Sequence, residues 1–163
     1  MKVNFYDEAF QTKTTENKFG LIDDENNTAA YINVIEPSKW NAIVINSFSK
    51  EITHTAIDNC IELRRENGEM DNRCDSMLTY DDNIVFAELK NKGAEWITEG
   101  IKQIEITINH FSQNHDLLAI KHKRAFVANR RHPNFHVIEN ETAKKFWENY
   151  RVRLNVDSEI NIK

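Results

Sequence analysis

The chain has 163 residues, of which 40% are hydrophobic and 29% charged, and its formal net charge at pH 7 is −5. This composition is typical of a globular domain. Collagen-like and low-complexity chains are excluded because Gly and Pro number only 4 and 2. The acidic balance argues mildly against a general polyanion binder, although net charge says little about one face of a molecule. The length predicts a single domain spanning residues 1–163.

The N-terminal segment and the cysteines predict where the protein resides. Residues 1–18 contain no apolar core segment, so no secretory signal is expected. The sequence contains no run of about 18 apolar residues, so no membrane span is predicted. Cys60 and Cys74 are not in a CxxC pair and suit a reducing compartment. We therefore expect a cytoplasmic protein that does not enter a membrane.

The first 66 residues carry weak structural signals. The segment WNAIVIN (40–46) fits either a buried strand or the start of a helix. Residues 51–66 also fit both a helical face and a strand. The following Asn67-Gly68 is a hairpin signal and slightly favours a strand that ends near Arg65.

From residue 74 onward the signals become sharper. The segments CDSMLTY (74–80) and NIVFAELK (83–90) flank Asp81-Asp82, which predicts a tight hairpin. A helix is predicted from about Ala94 to Phe111, because apolar residues recur there at steps of four and three. The residues of this stripe are Ile97, Ile101, Ile104, Ile108 and Phe111.

The C-terminal third predicts two short strands, a helix and a last strand or tail. The short strands are expected at Leu117–Ile120 and Ala125–Ala128, with Pro133 ending the strand region. The helix is expected at Thr142–Tyr150, and residues 152–162 form the last strand or tail. The fold class is therefore α/β, with a central mixed sheet flanked by helices.

The hairpin suggests a site at its open end. If Tyr80 pairs with Asn83 across a two-residue turn, Asp75 lies opposite Glu88, and Lys90 emerges on the same side. A slip of one residue would move Asp75 to the other face. Two opposed carboxylates repel each other, and a hard divalent cation such as Mg²⁺ or Mn²⁺, which prefers oxygen ligands, would relieve that repulsion.

This pattern resembles the motif of the PD-(D/E)xK nuclease superfamily. It consists of Asp75, an interval of twelve residues that ends in an apolar run, and Glu88-Leu89-Lys90. This superfamily includes restriction endonucleases, Holliday-junction resolvases and RecB-like nucleases. The resemblance implies a restriction-endonuclease-like core of a helix, three strands, a helix and a strand over about residues 55–130. Residues 1–50 and 134–163 would be additions to that core.

The resemblance also implies roles for individual residues. Asp75 and Glu88 would bind the metal, the Leu89 carbonyl would add a ligand, and Lys90 would be the catalytic lysine. Cys74 replaces the proline that usually precedes the aspartate. A further acidic residue from the preceding helix has three competing candidates in this chain, namely Glu51, Asp58 and Glu62.

Two features beside the motif have both a functional and a structural interpretation. Gln103, on the helix after Lys90, is similar to a glutamine near the active site of RecB-like nucleases, but it also fits a solvent-facing position. Trp96 fits a base-stacking residue and, with greater weight, a core aromatic. A second match to the motif, Asp7 with Glu16-Asn17-Lys18, lies in a polar segment with no strand before it.

A basic segment follows the catalytic motif. Residues 117–138 contain no Asp or Glu. Their five Lys and Arg residues are predicted to contact nucleic-acid phosphates, the alternative being an ordinary solvated face. These residues are Lys121, Lys123, Arg124, Arg130 and Arg131.

The sequence therefore predicts a metal-dependent nuclease with Asp75, Glu88, Lys90 and Gln103 in its active site. DNA is favoured over RNA as the substrate, in defence, mobile-element or recombination biology, by analogy with the superfamily. A homodimer is compatible with this function, since many such enzymes cut two strands with two sites. The alternative is a catalytically inactive binding or regulatory module on the same fold.

Overall fold

The structure, a computed structural model, describes residues 2–163. The strands of these residues are β1 (Gln11–Thr14), β2 (Lys18–Ile22), β3 (Tyr31–Asn33), β4 (Ala42–Ile45), β5 (Ile52–Ala56), β6 (Ser76–Tyr80), β7 (Asn83–Lys90), β8 (His122–Asn129), β9 (Arg153–Val156) and β10 (Glu159–Asn161). Two α-helices, α1 (Trp96–Asn114) and α2 (Asn140–Tyr150), complete the regular structure. The α/β class expected from the sequence is confirmed.

The strands form two sheets. The larger has the order β1-β5-β6-β7-β8-β9, antiparallel from β1 to β7 and parallel from β7 to β9. The smaller has the order β10-β4-β2-β3, with only β10 and β4 parallel. The smaller sheet is thus built from segments before residue 50 and after residue 134.

Strand β7 is buried on both faces, which explains its nearly continuous apolar sequence. Ile84 and Phe86 pack into the cluster that contains the buried face of α1. Val85, Ala87 and Leu89 pack into a second cluster with residues of the smaller sheet. By the alternation of a strand, Glu88 and Lys90 lie on the α1 side.

Helix α1 packs closely against the larger sheet. Ile104, Ile108 and Phe111 have no exposed surface, and the predicted apolar stripe faces the core. Gly100 permits the close approach, because a Cβ atom at this position would lie 2.6 Å from Val127 Cγ1 on β8. The observed helix begins two residues after the predicted start and ends three residues after the predicted end.

Other parts of the sequence prediction are also confirmed. The segment WNAIVIN contains strand β4, which resolves its ambiguity. The predicted strand at Ala125–Ala128 lies within β8, and the predicted helix at Thr142–Tyr150 lies within α2.

Two sequence expectations about strands are wrong. Leu117–Ile120 is not a strand, since Leu117–Ala119 forms a 3₁₀ turn whose Ala119 N–H donates to the Asp116 carboxylate at 3.3 Å. Strand β5 ends at Ala56 rather than near Arg65, because the chain turns away through Asn59, which has φ 64°. Beyond it, Arg64 and Met70 form only an isolated bridge around the Asn67-Gly68 turn.

The element order matches only part of the core that the resemblance implies. Strands β5, β6 and β7, helix α1 and strand β8 follow one another in the implied order. Within residues 2–163, however, no α-helix precedes β5, where only two 3₁₀ turns occur. Across the same residues, neither helix is long and apolar enough to cross a membrane.

Replacing Ile104 by Asp is expected to unfold the domain. Ile104 is fully buried in the helix-side cluster, so the new carboxylate would be buried without a partner and would cost several kcal/mol. Circular dichroism during urea unfolding measures the effect. Thr98→Asp, at an exposed position of the same helix, is the control and should change stability by no more than about 0.5 kcal/mol. Equal stability of the two variants would contradict this packing.

Candidate active site

The β6–β7 hairpin has the register predicted from its turn. Tyr80 pairs with Asn83 and Ser76 with Ala87, and Asp81 enters the tight turn with φ 45°. Continuing this register by one residue places Asp75 opposite Glu88 on one side of the sheet. The expected juxtaposition of the two carboxyl groups is therefore present.

Three hydrogen bonds hold Asp75 and the residue before it in place. The Leu89 N–H donates to Asp75 Oδ2 at 2.7 Å, and the Ile57 N–H donates to the Asp75 carbonyl at 2.9 Å. From helix α1, Thr107 Oγ1 accepts from the Cys74 N–H at 2.8 Å. Strand β7 thus holds the carboxyl of Asp75, while Ile57 and helix α1 hold the backbone next to it.

Burial and mutual repulsion determine the charge of the pair. Asp75 is 5% exposed and Glu88 2%. Burial, followed by the negative charge of Glu88, raises the pKa of Asp75 well above its usual range. Burial also raises the pKa of Glu88, although Asp75 and Lys90 oppose that rise. One proton shared between the carboxyls, held mainly by Asp75, is the arrangement these shifts favour.

One oxygen of the pair has no donor. Glu88 Oε1 is buried and lacks a hydrogen-bond partner among residues 2–163, which is costly for a carboxylate. A proton on Asp75 or a bound cation would each satisfy it. Two carboxylates with one unsatisfied oxygen fit Mg²⁺, which is typically held by one or two carboxylates plus water and substrate phosphate.

The Leu89 carbonyl points toward the β6 side of β7, where Asp75 lies. In the β7–β8 ladder the Lys90 carbonyl accepts from the Arg130 N–H at 3.0 Å. Because successive carbonyls of a strand point in opposite directions, the Leu89 carbonyl faces away from β8 and toward the β6 side. This direction agrees with the ligand role that the resemblance implies.

Lys90 lies beside the carboxyl pair in a fixed position. Its Nζ is 3.1 Å from Glu88 Oε2 and donates to Gln103 Oε1 at 2.6 Å. Gln103 Nε2 in turn donates to the Arg73 carbonyl at 3.4 Å. Of the two interpretations of Gln103, the structure supports the one that places it at the site, since it bridges helix α1 to the lysine.

Among the three acids considered for the site, Asp58 is the one that approaches it. It lies two residues beyond the end of β5, and its charge raises the pKa of Glu88. Burial raises the pKa of Asp58 itself, although Arg73 Nη2 lies 3.1 Å from its Oδ1. Glu51 and Glu62 are exposed and pair instead with Lys13 and Arg64.

Two residues of the site come from the N-terminal segment, and sequence reasoning missed both. Asn41 Nδ2 donates to the Lys90 carbonyl at 2.9 Å, and Asn41 Oδ1 accepts from the Asp23 N–H at 3.0 Å. The charge of Asp23 further raises the pKa of Asp75. No local pattern marks these residues, because they reach the site only through the packing of the two sheets.

An open cleft of about 370 Å³ lies next to the site. It is lined by Asp23, Glu25, Asn27, Asp58, Asn59, Lys90 and Lys92. Asp75 and Glu88 are buried and are not among its lining residues. Its three carboxylates outnumber its two lysines, so a phosphate would be repelled unless cations bound there first. In residues 2–163 no cluster of three or more His, Cys, Asp or Glu side chains forms a ready metal site.

The predicted basic segment divides between the two ends of β8. Arg130 and Arg131 follow the strand at the Lys90 end, whereas Lys121, Lys123 and Arg124 lie at its start. With a rise of about 3.3 Å per residue, the two groups are roughly 23 Å apart. The segment is therefore not one continuous surface. Trp96 is 5% exposed and packs in the core, so it is not available for base stacking.

In comparisons with protein-family models, curated proteins and solved structures, none matches this chain.

Replacing Asp75 by Asn is expected to make the free energy of unfolding of the metal-free protein less dependent on pH. The folded-state pKa of Asp75 is raised above its usual value of 3.8, so its protonated form stabilises the fold at low pH. This contribution is complete below about pH 3.8 and is lost as the pH rises through the raised pKa. The free energy of unfolding of Asp75→Asn minus that of wild type should therefore increase from pH 4 upward.

Urea unfolding in EDTA from pH 4 to 8 measures this difference. Asp82→Asn, at an exposed position of the hairpin turn, is the matched control and should run parallel to wild type. A constant difference between Asp75→Asn and wild type would show that Asp75 ionises normally.

Proposed function

We propose that this protein is a metal-dependent nuclease of the PD-(D/E)xK type that hydrolyses phosphodiester bonds, with DNA favoured over RNA. The observation that carries the proposal is the buried pair Asp75 and Glu88, with one unsatisfied oxygen, beside a lysine held in place by Gln103. Structural carboxyls are rarely buried together without full compensation. Perturbed carboxyls next to a cleft are typical of functional sites.

The residues of the chain have complementary chemical roles in this proposal. Asp75, Glu88 and the Leu89 carbonyl would hold Mg²⁺ or Mn²⁺, which when bound would polarise the phosphate and lower the pKa of a bound water. Lys90 would position the attacking water or stabilise charge on the phosphate. Gln103 would keep the Lys90 amine directed at the carboxyl pair. Arg130 and Arg131, which follow β8 at this end, would contact the flanking phosphates.

Two observations favour the second candidate, an inactive binding or regulatory module. Lys90 Nζ already contacts Glu88 Oε2, and the carboxyl pair is buried and does not line the cleft. In an inactive module the ammonium group would serve as the permanent counterion of Glu88. The two candidates differ in whether a divalent ion binds.

Changing Glu88 to Ala is expected to abolish metal binding and cleavage while the fold survives. The substitution removes one of the two carboxylates and their mutual repulsion, although it also removes the ion pair with Lys90. Lys90→Ala should retain the metal and lower the cleavage rate by about 10²- to 10³-fold. Glu16→Ala, in the second match to the motif, is the control and should cleave like wild type.

Calorimetric titration with Mg²⁺ and Mn²⁺ should accompany cleavage assays on linear, branched and single-stranded DNA and on RNA. If the wild-type protein binds no divalent ion and cuts none of these substrates, the proposal that it is a nuclease is wrong. The inactive module would then be the better description.

Changing Arg130 and Arg131 to Gln together is expected to weaken nucleic-acid binding equally for all sequences. Each lost phosphate contact should lower the slope of log K against log salt by about 0.9 on duplex DNA. Arg64→Gln with Arg65→Gln, which removes two exposed arginines that pair with neighbouring acids, is the matched control. An affinity and a salt slope equal to those of the control would assign Arg130 and Arg131 to an ordinary solvated surface.

A further inference from the structure

A second, strongly basic cleft lies at the opposite end of β7 and β8 from the candidate active site. It has a volume of about 480 Å³ and is formed by the β6–β7 turn, the start of β8, the end of α2 and the start of β9. Its basic lining includes Lys50, Lys121, Lys123, Arg124, Arg151 and Arg153, whereas its acidic lining is Asp81 and Asp82. In a chain of net charge −5, this concentration of positive charge is unusual.

Two arginines in this cleft lie side by side on the sheet. Arg124 of β8 is the direct register partner of Arg153 of β9. Like charges at paired positions of neighbouring strands destabilise a sheet. An anion bound between them would convert this repulsion into attraction.

The guanidinium groups are also held in place. Arg151 and Arg153 lie over the Trp147 ring, at 5.5 and 4.8 Å from its centroid. Arg124 Nη2 donates to the Tyr80 hydroxyl at 3.0 Å. Because these contacts fix the side chains before a ligand arrives, less conformational entropy is lost on binding.

Arg151 occupies a position that usually belongs to glycine. It caps the C-terminus of α2 with φ 58°, in the left-handed region, where Gly or Asn is the ordinary choice. An arginine there is disfavoured by the backbone, although its charge interacts well with the helix dipole. Its side chain faces the cleft, where it adds a third guanidinium to the pair formed by β8 and β9.

Most cations of the cleft lack an acidic partner. Among residues 2–163, no carboxylate forms an ion pair with any of Lys121, Lys123, Arg124, Arg151 and Arg153. Only Lys50 is neutralised, by Asp81 Oδ2 at 2.7 Å. Several uncompensated charges in one concave surface form a field that attracts an anionic ligand.

We propose that this basic cleft binds the phosphodiester backbone of a nucleic acid, independently of the candidate active site. Three arginines with fixed planar forks match phosphate oxygens in bidentate geometry. Lys121, which is exposed just before β8, extends the positive charge along the start of that strand, which suits a ligand with repeated charges better than one isolated anion. The cleft is roughly 23 Å from Lys90 along β7, so it makes a separate contact with the nucleic acid.

Fluorescence anisotropy with labelled single-stranded and duplex oligonucleotides, in EDTA and between 50 and 200 mM salt, tests the proposal. Changing Arg124 and Arg153 to Gln together should weaken binding and lower the salt slope by about 1.8 on duplex and about 1.4 on single strands. Arg64→Gln with Arg65→Gln removes the same charge at another surface and is the control. If the Arg124/Arg153 variant binds like this control, the proposal is wrong.

A second pair of substitutions distinguishes a loss of binding from a folding defect. Arg124 contacts Tyr80, so its loss could disturb the hairpin, whereas Lys121 and Arg151 are exposed. Changing Lys121 and Arg151 to Gln should therefore lower affinity and salt slope without lowering the melting temperature by more than a few degrees. Normal binding by this pair, in a folded protein, would also overturn the proposal.

Two competitors identify the ligand chemistry. Inorganic pyrophosphate should displace the oligonucleotide only weakly, and polyglutamate of matched charge should compete much less well than unlabelled DNA. Equal competition by polyglutamate, or binding of pyrophosphate without binding of oligonucleotides, would refute a phosphodiester site. All binding is measured in EDTA, where no divalent ion supports cleavage, so this result does not depend on whether the protein cleaves nucleic acid.

Discussion

Two buried carboxyl groups, opposed at the open end of the β6–β7 hairpin, constrain the structure around them. Asp75 and Glu88 face each other because the hairpin turn fixes their register, and both are buried. The Leu89 N–H and the Lys90 ammonium supply compensating positive charge from the same strand. Helix α1 contributes Gln103, and the smaller sheet contributes Asn41, which binds the Lys90 carbonyl. Elements from three regions of the chain thus hold the buried carboxyl pair and the adjacent lysine in place.

The local part of this arrangement was predictable from the sequence. A two-residue turn between two apolar segments determines every cross-strand pair of the hairpin, including Asp75 opposite Glu88. The stripe of isoleucines likewise predicted the face of α1 that packs on the sheet. These inferences succeeded because turn geometry and side-chain period act over short distances along the chain.

The remaining parts depend on contacts that the sequence does not encode locally. Asp23 and Asn41 reach the site only because the smaller sheet packs on the larger one, and no motif marks either residue. The basic segment appears continuous in sequence, yet an extended strand carries its two halves to opposite ends of the sheet. Residues 117–120 resemble a strand in composition, but a single side-chain cap from Asp116 favours a 3₁₀ turn there.

The absence of a side chain at Gly100 has a consequence for how the site can vary. Gly100 lies one turn before Gln103 on α1, so the same small residue that sets the spacing between helix and sheet also sets the reach of that glutamine. Val127 is β-branched and fully buried, and it cannot easily move aside for an added methyl group. A larger residue at position 100 would lift the helix and stretch the 2.6 Å bond between Gln103 and Lys90. A substitution at position 100 would therefore change the orientation of Lys90 indirectly, through the spacing between helix and strand.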